Sequence, residues 1–232
     1  MKDSSLNNPV SEFDRYARTY RDEISSALGV FGQSAEYFAE YKVRLASRLV
    51  PTSPSLILDF GCGVGESVPY FQKWFPGSGI SGFDVSAESL IELKSKFPAV
   101  DVFTDFSSID NRFDLVFVSN VLHHIEPSER YERLHALWKL VNKGGSLCVF
   151  EHNPLNPITR RIVSNCVLDD GVELLSRREL RSLVRVSFGP QATRSGYCLF
   201  FPPSLRVLSV VEPFFASIPL GGQHFTLVTK TP

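Results

Sequence analysis

Apolar residues follow two spacings that alternate along the chain, and this alternation predicts a repeating strand–helix fold. Short, nearly continuous apolar runs are typical of strands buried on both faces of a sheet. Five such runs occur, at 56–58, 79–84, 99–103, 113–118 and 146–151. The segments between them are longer and have helical spacing, so this part of the chain predicts a parallel sheet with helices on both faces.

The pattern continues beyond residue 152 with two more expected strands and two expected helices. Residues 184–188 and 223–230 have the composition of strands, and 161–168 and 176–184 have helical spacing. Ser176 and Glu179 stand three residues apart, which is the spacing of a helix capping box. At 232 residues and 43% apolar composition, the chain is long enough for one globular core.

The first strand runs directly into a glycine-rich turn. Asp59 ends the strand, and Gly61, Gly63 and Gly65 follow at every second position, with Cys62 between the first two. Glycines permit positive φ angles and let a ligand approach bare backbone. The spacing is G-x-G-x-G, whereas dinucleotide-binding loops have G-x-G-x-x-G. A tight turn without a ligand is the alternative interpretation of this loop.

A second acidic residue, Asp84, ends the second strand about 20 residues beyond the glycine loop. Nucleoside-binding α/β folds place a carboxylate at this distance, where it accepts hydrogen bonds from ribose hydroxyls. The alternative is that Asp84 caps the following helix, although Ser86 is itself a good N-cap residue.

Together, these residues resemble motif I and the following strand of the class I S-adenosylmethionine-dependent methyltransferases. The resemblance implies a Rossmann-like α/β fold with a seven-stranded, mostly parallel sheet, an antiparallel last strand and helices on both faces. It also implies S-adenosyl-L-methionine as cofactor. The implied cofactor-binding residues are Asp59, Gly61, Cys62, Gly63, Gly65, Asp84, Val85, Asp105, Phe106, Asn120 and Val121. Asp105 would face the adenine, with a solvated turn as the alternative, and Asn120 would border the methionine part.

The resemblance also divides the chain. Residues 1–50 are expected to form an N-terminal helical lid or extension, and 51–232 the methyltransferase domain. Within that domain, 55–152 is the expected cofactor core, and a substrate-side cap lies within 153–222. Tyr16 and Tyr20 on the first predicted helix, and Asn153 after strand five, are candidate substrate-binding residues.

Methyl transfer to oxygen requires alignment and, for many acceptors, removal of a proton. Histidine is the side chain best suited to accept it at neutral pH. His124 and His152 are therefore the candidate general bases, with structural hydrogen bonding or packing as the alternative for both. The four cysteines have no metal-ligand spacing, and no metal is expected.

The charge and motifs of the chain limit the classes of partner that we expect. A formal charge of −1 gives no indication of nucleic-acid binding, and Ser119-Asn-Val-Leu122 differs from the Asn/Asp-Pro-Pro-Tyr signature of enzymes that methylate DNA bases. No signal pattern or run of about 18 apolar residues occurs, which favours the cytoplasm. The apolar segment 199–220 is expected to bury its apolar face in the protein, with membrane contact as the alternative.

A small-molecule methyltransferase is therefore the predicted function. The rivals are a nucleotide-dependent oxidoreductase, which the early third glycine disfavours, and a silent binding protein that keeps the fold. The sequence does not indicate the oligomeric state.

Overall fold

Seven strands form the central sheet of the computed structural model, which describes residues 35–110, 112–169 and 171–231. They are β1 (Leu56–Phe60), β2 (Gly79–Phe83), β3 (Asp101–Phe103), β4 (Phe113–Ser119), β5 (Val141–His152), β6 (Ala192–Cys198) and β7 (Gln223–Thr229). The strand order is β3-β2-β1-β4-β5-β7-β6. Strand β7 pairs antiparallel with both of its neighbours, and the other pairs are parallel. The predicted fold class is confirmed in this sheet.

Helices cover both faces of the sheet. They are α1 (Ala35–Leu49), α2 (Val68–Trp74), α3 (Ala87–Lys96), α4 (Arg130–Leu140), α5 (Pro157–Ser164), α6 (Arg177–Phe188) and the short α7 (Glu212–Phe215). Side chains of α1, α2 and α3 pack into one apolar cluster, and those of α4 and α6 pack into the other. Among the described residues, no helix is long and apolar enough to cross a bilayer.

The first described helix belongs to the core of the protein. Val43 and Ala46 of α1 are fully buried in the apolar cluster on its face of the sheet. This agrees with the core packing that its helical spacing favours. The rest of the expected N-terminal lid, including Tyr16 and Tyr20, lies outside the described residues.

The prediction of a sixth strand at 184–188 is wrong, because α6 continues to Phe188. Leu180, Val184 and Phe188 recur every fourth residue and are buried on one side of the helix, whereas Val186 is 68% exposed. Phe188 also stacks on Trp138 of α4, with ring centroids 4.4 Å apart. The buried positions therefore follow the period of a helix, although Val184, Val186 and Phe188 alternate as the apolar residues of a strand do. The sixth strand begins at Ala192 instead.

The helix after β5 also has other bounds than the sequence predicts. The helix expected at 161–168 begins at Pro157, because the Asn156 side chain accepts the N–H groups of Ile158 and Thr159 and caps it. The capping box of Ser176 and Glu179 is present as predicted.

The apolar cap after β6 is anchored by a buried carboxylate. Glu212 is 3% exposed, and its carboxylate accepts hydrogen bonds from the N–H groups of Leu199, Phe200 and Phe201 at 3.1–3.4 Å. The Tyr41 hydroxyl of α1 donates to the same carboxylate. Glu212 thus joins the cap, the end of β6 and α1.

We expect Glu212→Ala to lower the free energy of unfolding by at least about 2 kcal/mol, because each buried donor left without a partner costs about 1–3 kcal/mol. Urea unfolding followed by circular dichroism measures this change. Glu173→Ala, at an exposed position outside the helices and strands, is the matched control and should change stability by less than about 0.5 kcal/mol. Equal effects of the two substitutions would show that Glu212 does not anchor the cap.

Much of the cap's apolar surface faces outward. Val207 is 74% exposed, Val210 71% and Phe214 84%. The expectation that the segment buries its apolar face within the protein therefore holds only in part. Its first residues, Leu199 to Pro202, instead line the cavity described next.

Candidate active site

A cavity of about 830 Å³ opens at the carboxyl edge of the sheet. The loops after β1, β2, β4 and β5 line it, together with α1, α5 and the start of the cap. Strands β1 and β4 are adjacent, although β2 and β3 separate them in sequence. The strand order therefore reverses beside β1, and ligands of open α/β sheets bind at this kind of position.

The glycine loop lies against the loop that follows β4. Gly61 has φ +77°, and a Cβ atom built on it would lie 2.3 Å from Cγ2 of Val121. No real side chain fits at that distance. The N–H groups of Gly61 and Cys62 both donate to the Phe83 carbonyl at the end of β2, at 2.7 and 3.0 Å. The turn is thus held between two strands, and its backbone is exposed to the cavity.

Asp84 lies beside this loop. Its carboxylate accepts the Gly63 N–H at 2.8 Å and the Ser86 N–H at 2.9 Å, and it lines the cavity together with Val85. The Ser86 hydroxyl, not Asp84, caps α3 by accepting the Ser89 N–H at 3.1 Å. The alternative role of Asp84 as the helix cap therefore does not hold.

Opposite charges are buried near the end of β1. Asp59 is 3% exposed and Lys42 of α1 is 7% exposed, and both line the cavity. Burial raises the pKa of Asp59 to about 7, although the charge of Lys42 opposes the shift. Burial likewise lowers the pKa of Lys42 to about 8. The Lys42 ammonium donates to the Ser119 hydroxyl at 2.5 Å.

Asn120 holds a strained position directly after β4. It has φ +57°, which is rare outside glycine, and its N–H donates to the Phe150 carbonyl at 2.9 Å. Its side-chain Oδ1 atom is buried without a hydrogen-bond partner, and the residue lines the cavity. A buried acceptor without a donor is the arrangement expected where a ligand supplies the donor.

Beyond Asn120, a cluster of charged side chains lines the cavity. His123 is 2% exposed, and its Nδ1 atom lies 2.6 Å from Oε2 of Glu151. The other carboxylate oxygen of Glu151 accepts the N–H groups of Val121 and Leu122. Glu151 therefore fixes both the His123 ring and the loop that carries it.

Asp169 completes this cluster. Its Oδ1 atom lies 3.4 Å from Nε2 of His123 and 3.4 Å from Nε2 of His124. The His152 ring lies 5.2 Å from the His123 ring, measured between centroids. All three histidines and Asp169 line the cavity.

The cluster strongly perturbs the pKa values of its members. Burial would lower the pKa of His123, but the charge of Glu151 and hydrogen bonds to Asp169 and Glu151 raise it to about 9. Burial would raise the pKa of Glu151, but the charge and hydrogen bond of His123 lower it to about 2. Hydrogen bonds to His123 and His124 outweigh burial and hold the pKa of Asp169 far below its usual range. Burial and the charge of His123 lower the pKa of His152 to about 4.

Four predicted site residues are not brought to the cavity. Gly65 has φ +84°, and a Cβ atom built on it would lie 2.9 Å from Cγ of Leu93 in α3. The Asp105 carboxylate is exposed and accepts hydrogen bonds from the N–H and hydroxyl of Ser107. The Phe106 ring packs edge-on against Phe60 and Phe83 in the core. Asn153 is 1% exposed, and its amide nitrogen donates to the carbonyls of residues 219 and 221. It thereby ties the loop after β5 to the cap.

Four residues of the site were missed from the sequence: Lys42, His123, Glu151 and Asp169. Lys42 stands four residues after Phe38 and so lies on the apolar side of α1. A lysine is rarely buried, and its place among apolar residues could have identified it as a site residue. Asp169 lies in a segment with no motif, and only tertiary structure brings it to the histidines.

Comparison with known proteins agrees with this geometry. Residues 57–145 match the family model of a methyltransferase domain. An uncharacterized methyltransferase from Alkaliphilus oremlandii is 23% identical over 140 residues, which are 59% of this chain and 64% of that protein. The chain therefore matches less than two thirds of that relative's length.

Solved structures share the fold. A SAM-dependent methyltransferase from Thermotoga maritima has a TM-score of 0.67 at 16% identity and covers 97% of this chain and 100% of its own. Magnesium protoporphyrin IX methyltransferase from Synechocystis, solved with bound SAM, has a TM-score of 0.61 at 17% identity, and the match covers 99% of this chain and 100% of that one. The predicted resemblance to class I methyltransferases is confirmed.

Proposed function

We propose that this chain, which carries a class I methyltransferase domain, transfers a methyl group from S-adenosylmethionine to an oxygen atom of a small molecule. One observation carries the proposal. The Asp84 carboxylate is hydrogen-bonded to the Gly63 N–H, so an acidic residue and a bare glycine turn face one cavity. These two groups suit a nucleoside that has a sugar but no phosphate.

The residues present fit this cofactor. Gly61 and Gly63 would lie against it, and Asp84 would accept the ribose hydroxyl protons. Lys42 and Asp59 would meet the carboxylate and ammonium of its amino-acid part, with Asn120 Oδ1 as a further acceptor. The cofactor supplies a methyl group that is already activated by its positive sulfur.

The walls of the cavity favour an acceptor with substantial apolar surface. Apolar side chains from three parts of the chain line it: Phe38, Ile158, Ile162, Leu168, Leu199, Phe200 and Phe201. Burial of such side chains against an apolar ligand excludes water from the reaction. The histidine cluster also lines the cavity, and an acceptor hydroxyl would lie against it.

His124 and His152 both line the cavity and are the candidate proton acceptors. Their surroundings favour His124. Asp169 lies 3.4 Å from its Nε2 atom and would stabilise the imidazolium that forms when the proton arrives. His152 holds a proton poorly near neutral pH, because burial lowers its pKa to about 4.

Replacement of the proposed base should slow the reaction without loss of the cofactor. We expect His124→Ala to lower kcat by about 10²- to 10⁴-fold, the usual contribution of general base catalysis. The S-adenosylhomocysteine Kd should change by less than about twofold. Release of S-adenosylhomocysteine in the presence of hydroxylated small molecules provides the screen for an acceptor and then the rate assay.

His135→Ala is the matched control, because His135 lies on α4 outside the cavity lining. It should leave kcat unchanged. A full rate in His124→Ala would remove His124 from the reaction.

We also propose that the protein acts in the cytoplasm. All four cysteines are free thiols, which is consistent with a reducing, cytoplasmic compartment. A nucleotide-dependent oxidoreductase and a silent binding protein remain the rival functions. The absence of S-adenosylhomocysteine release with every acceptor tested, despite cofactor binding, would favour the silent protein.

A further inference from the structure

The histidine cluster has a second chemical capability that methyl transfer alone does not require. One ligand atom each from His123, His152 and Asp169 lie within 4.8 Å of one another. This spacing allows all three to reach one ion after small side-chain movements. The cysteine pattern in the sequence gave no indication of such a site, because its ligands are histidines and an aspartate from three separate parts of the chain.

We propose that His123, His152 and Asp169 bind one divalent transition-metal ion on the acceptor side of the cavity. Two imidazoles and one carboxylate form a donor set with positions left open toward the cavity. Imidazole nitrogens favour zinc, copper, iron or nickel over Ca²⁺ and Mg²⁺, which prefer oxygen ligands.

The orientation of His123 supports this assignment. Its Nδ1 atom is bound to Glu151 at 2.6 Å, so Nε2 is the atom presented to Asp169 and the cavity. Metal-binding histidines usually direct their other ring nitrogen to a carboxylate in this way. The Nε2 atom is buried, and Asp169 Oδ1 lies 3.4 Å away. This separation is longer than a normal N–H···O hydrogen bond, so one ion could bind both atoms.

His152 supplies the second imidazole. It ends β5 and lines the cavity, and its ring centroid lies 5.2 Å from that of His123. Coordination uses the lone pair that would otherwise accept a proton. This agrees with the assignment of the base to His124.

The charges around the cluster also suit a cation. Glu151 and Asp169 are two carboxylates beside three histidines, and Lys42 is the nearby cation that contributes to the pKa of His152. Without a metal, a proton on His123 between the two carboxylates would balance part of their charge. Metal and proton therefore compete for the same place, and a binding measurement distinguishes them.

A bound ion would have a defined role in the reaction. An acceptor hydroxyl that occupied an open coordination position would lose its proton more readily, because the ion stabilises the oxyanion. This role rests on the proposed function, whereas metal binding itself does not.

The experiment is titration of the metal-free full chain with Zn²⁺ against a chromophoric chelator, with Co²⁺ absorption as a second probe. We expect one Zn²⁺ per chain. His152→Ala and Asp169→Asn should each weaken binding by at least about tenfold. Asp101→Asn, an exposed aspartate at the start of β3, is the control and should bind Zn²⁺ like the unmodified chain.

Binding of S-adenosylhomocysteine is measured on the same samples to confirm that each variant is folded. Zn²⁺ binding that is equal in all variants would show an adventitious surface site and overturn the proposal. A folded chain that binds S-adenosylhomocysteine but not Zn²⁺ would also overturn it, and would leave the methyltransferase assignment intact. Loss of S-adenosylhomocysteine binding by the unmodified chain would instead contradict the proposed function.

Discussion

Gly61→Ala is expected to destabilise the protein by roughly 3 kcal/mol and to weaken S-adenosylhomocysteine binding at least tenfold. The added Cβ would lie 2.3 Å from Cγ2 of Val121, and φ at this position is +77°. Left-handed backbone costs a non-glycine residue about 1–2 kcal/mol, and overpacking costs about 1–3 kcal/mol more. The loop has to move away from Val121, and the movement displaces backbone that faces the cavity. Chemical unfolding and calorimetric titration measure the two effects.

Two further variants separate the causes. Gly77 has a similar φ of +86°, but a Cβ there would meet nothing within 4 Å. Gly77→Ala should therefore cost only the backbone part and leave binding unchanged. Val121→Ala combined with Gly61→Ala should recover part of the lost stability, because it removes the clashing methyl groups. Equal behaviour of Gly61→Ala and Gly77→Ala would mean that the close contact with Val121 has no importance.

Asp84→Ala is expected to weaken S-adenosylhomocysteine binding by roughly 10- to 150-fold. Hydrogen bonds to a charged group are worth about 1.5–3 kcal/mol, and the ribose hydroxyls would donate such bonds to this carboxylate. The carboxylate also accepts the Gly63 N–H at 2.8 Å, so part of the loss would come through the glycine loop. Calorimetric titration provides the Kd.

Asp84→Asn retains one acceptor oxygen of similar size and should show a smaller loss than Asp84→Ala. Asp101→Asn, which replaces an exposed carboxylate, should leave the Kd unchanged. If the Kd of Asp84→Ala equals that of the unmodified chain, Asp84 has no part in the cofactor site.

The parts of the site that the sequence predicted are those encoded locally. Gly61 and Asp84 each follow an apolar strand directly, and the carboxyl ends of parallel strands meet at one edge of a sheet. Asn120, which directly follows β4, was implied by the family resemblance. A strand followed by a turn is a short-range pattern, and the order of strands follows from the family resemblance.

The parts that the sequence did not predict depend on long-range packing. Asp169 follows α5 and His123 follows β4, so only tertiary structure brings the two side chains together, and no local pattern records this. The strand predicted at 184–188 failed for a related reason. In a short window of sequence, the spacing of Val184 and Phe188 fits a strand as well as a helix. The contact of Phe188 with Trp138 favours the helix.

One measurement tests most directly whether the cavity is built for an adenosyl amino acid. Calorimetric titration of the full chain with S-adenosylhomocysteine and, separately, with NAD compares the two ligands on the same protein. We expect saturable one-to-one binding of S-adenosylhomocysteine and no binding of NAD. Binding of NAD alone, or of neither ligand by a folded chain, would contradict the account.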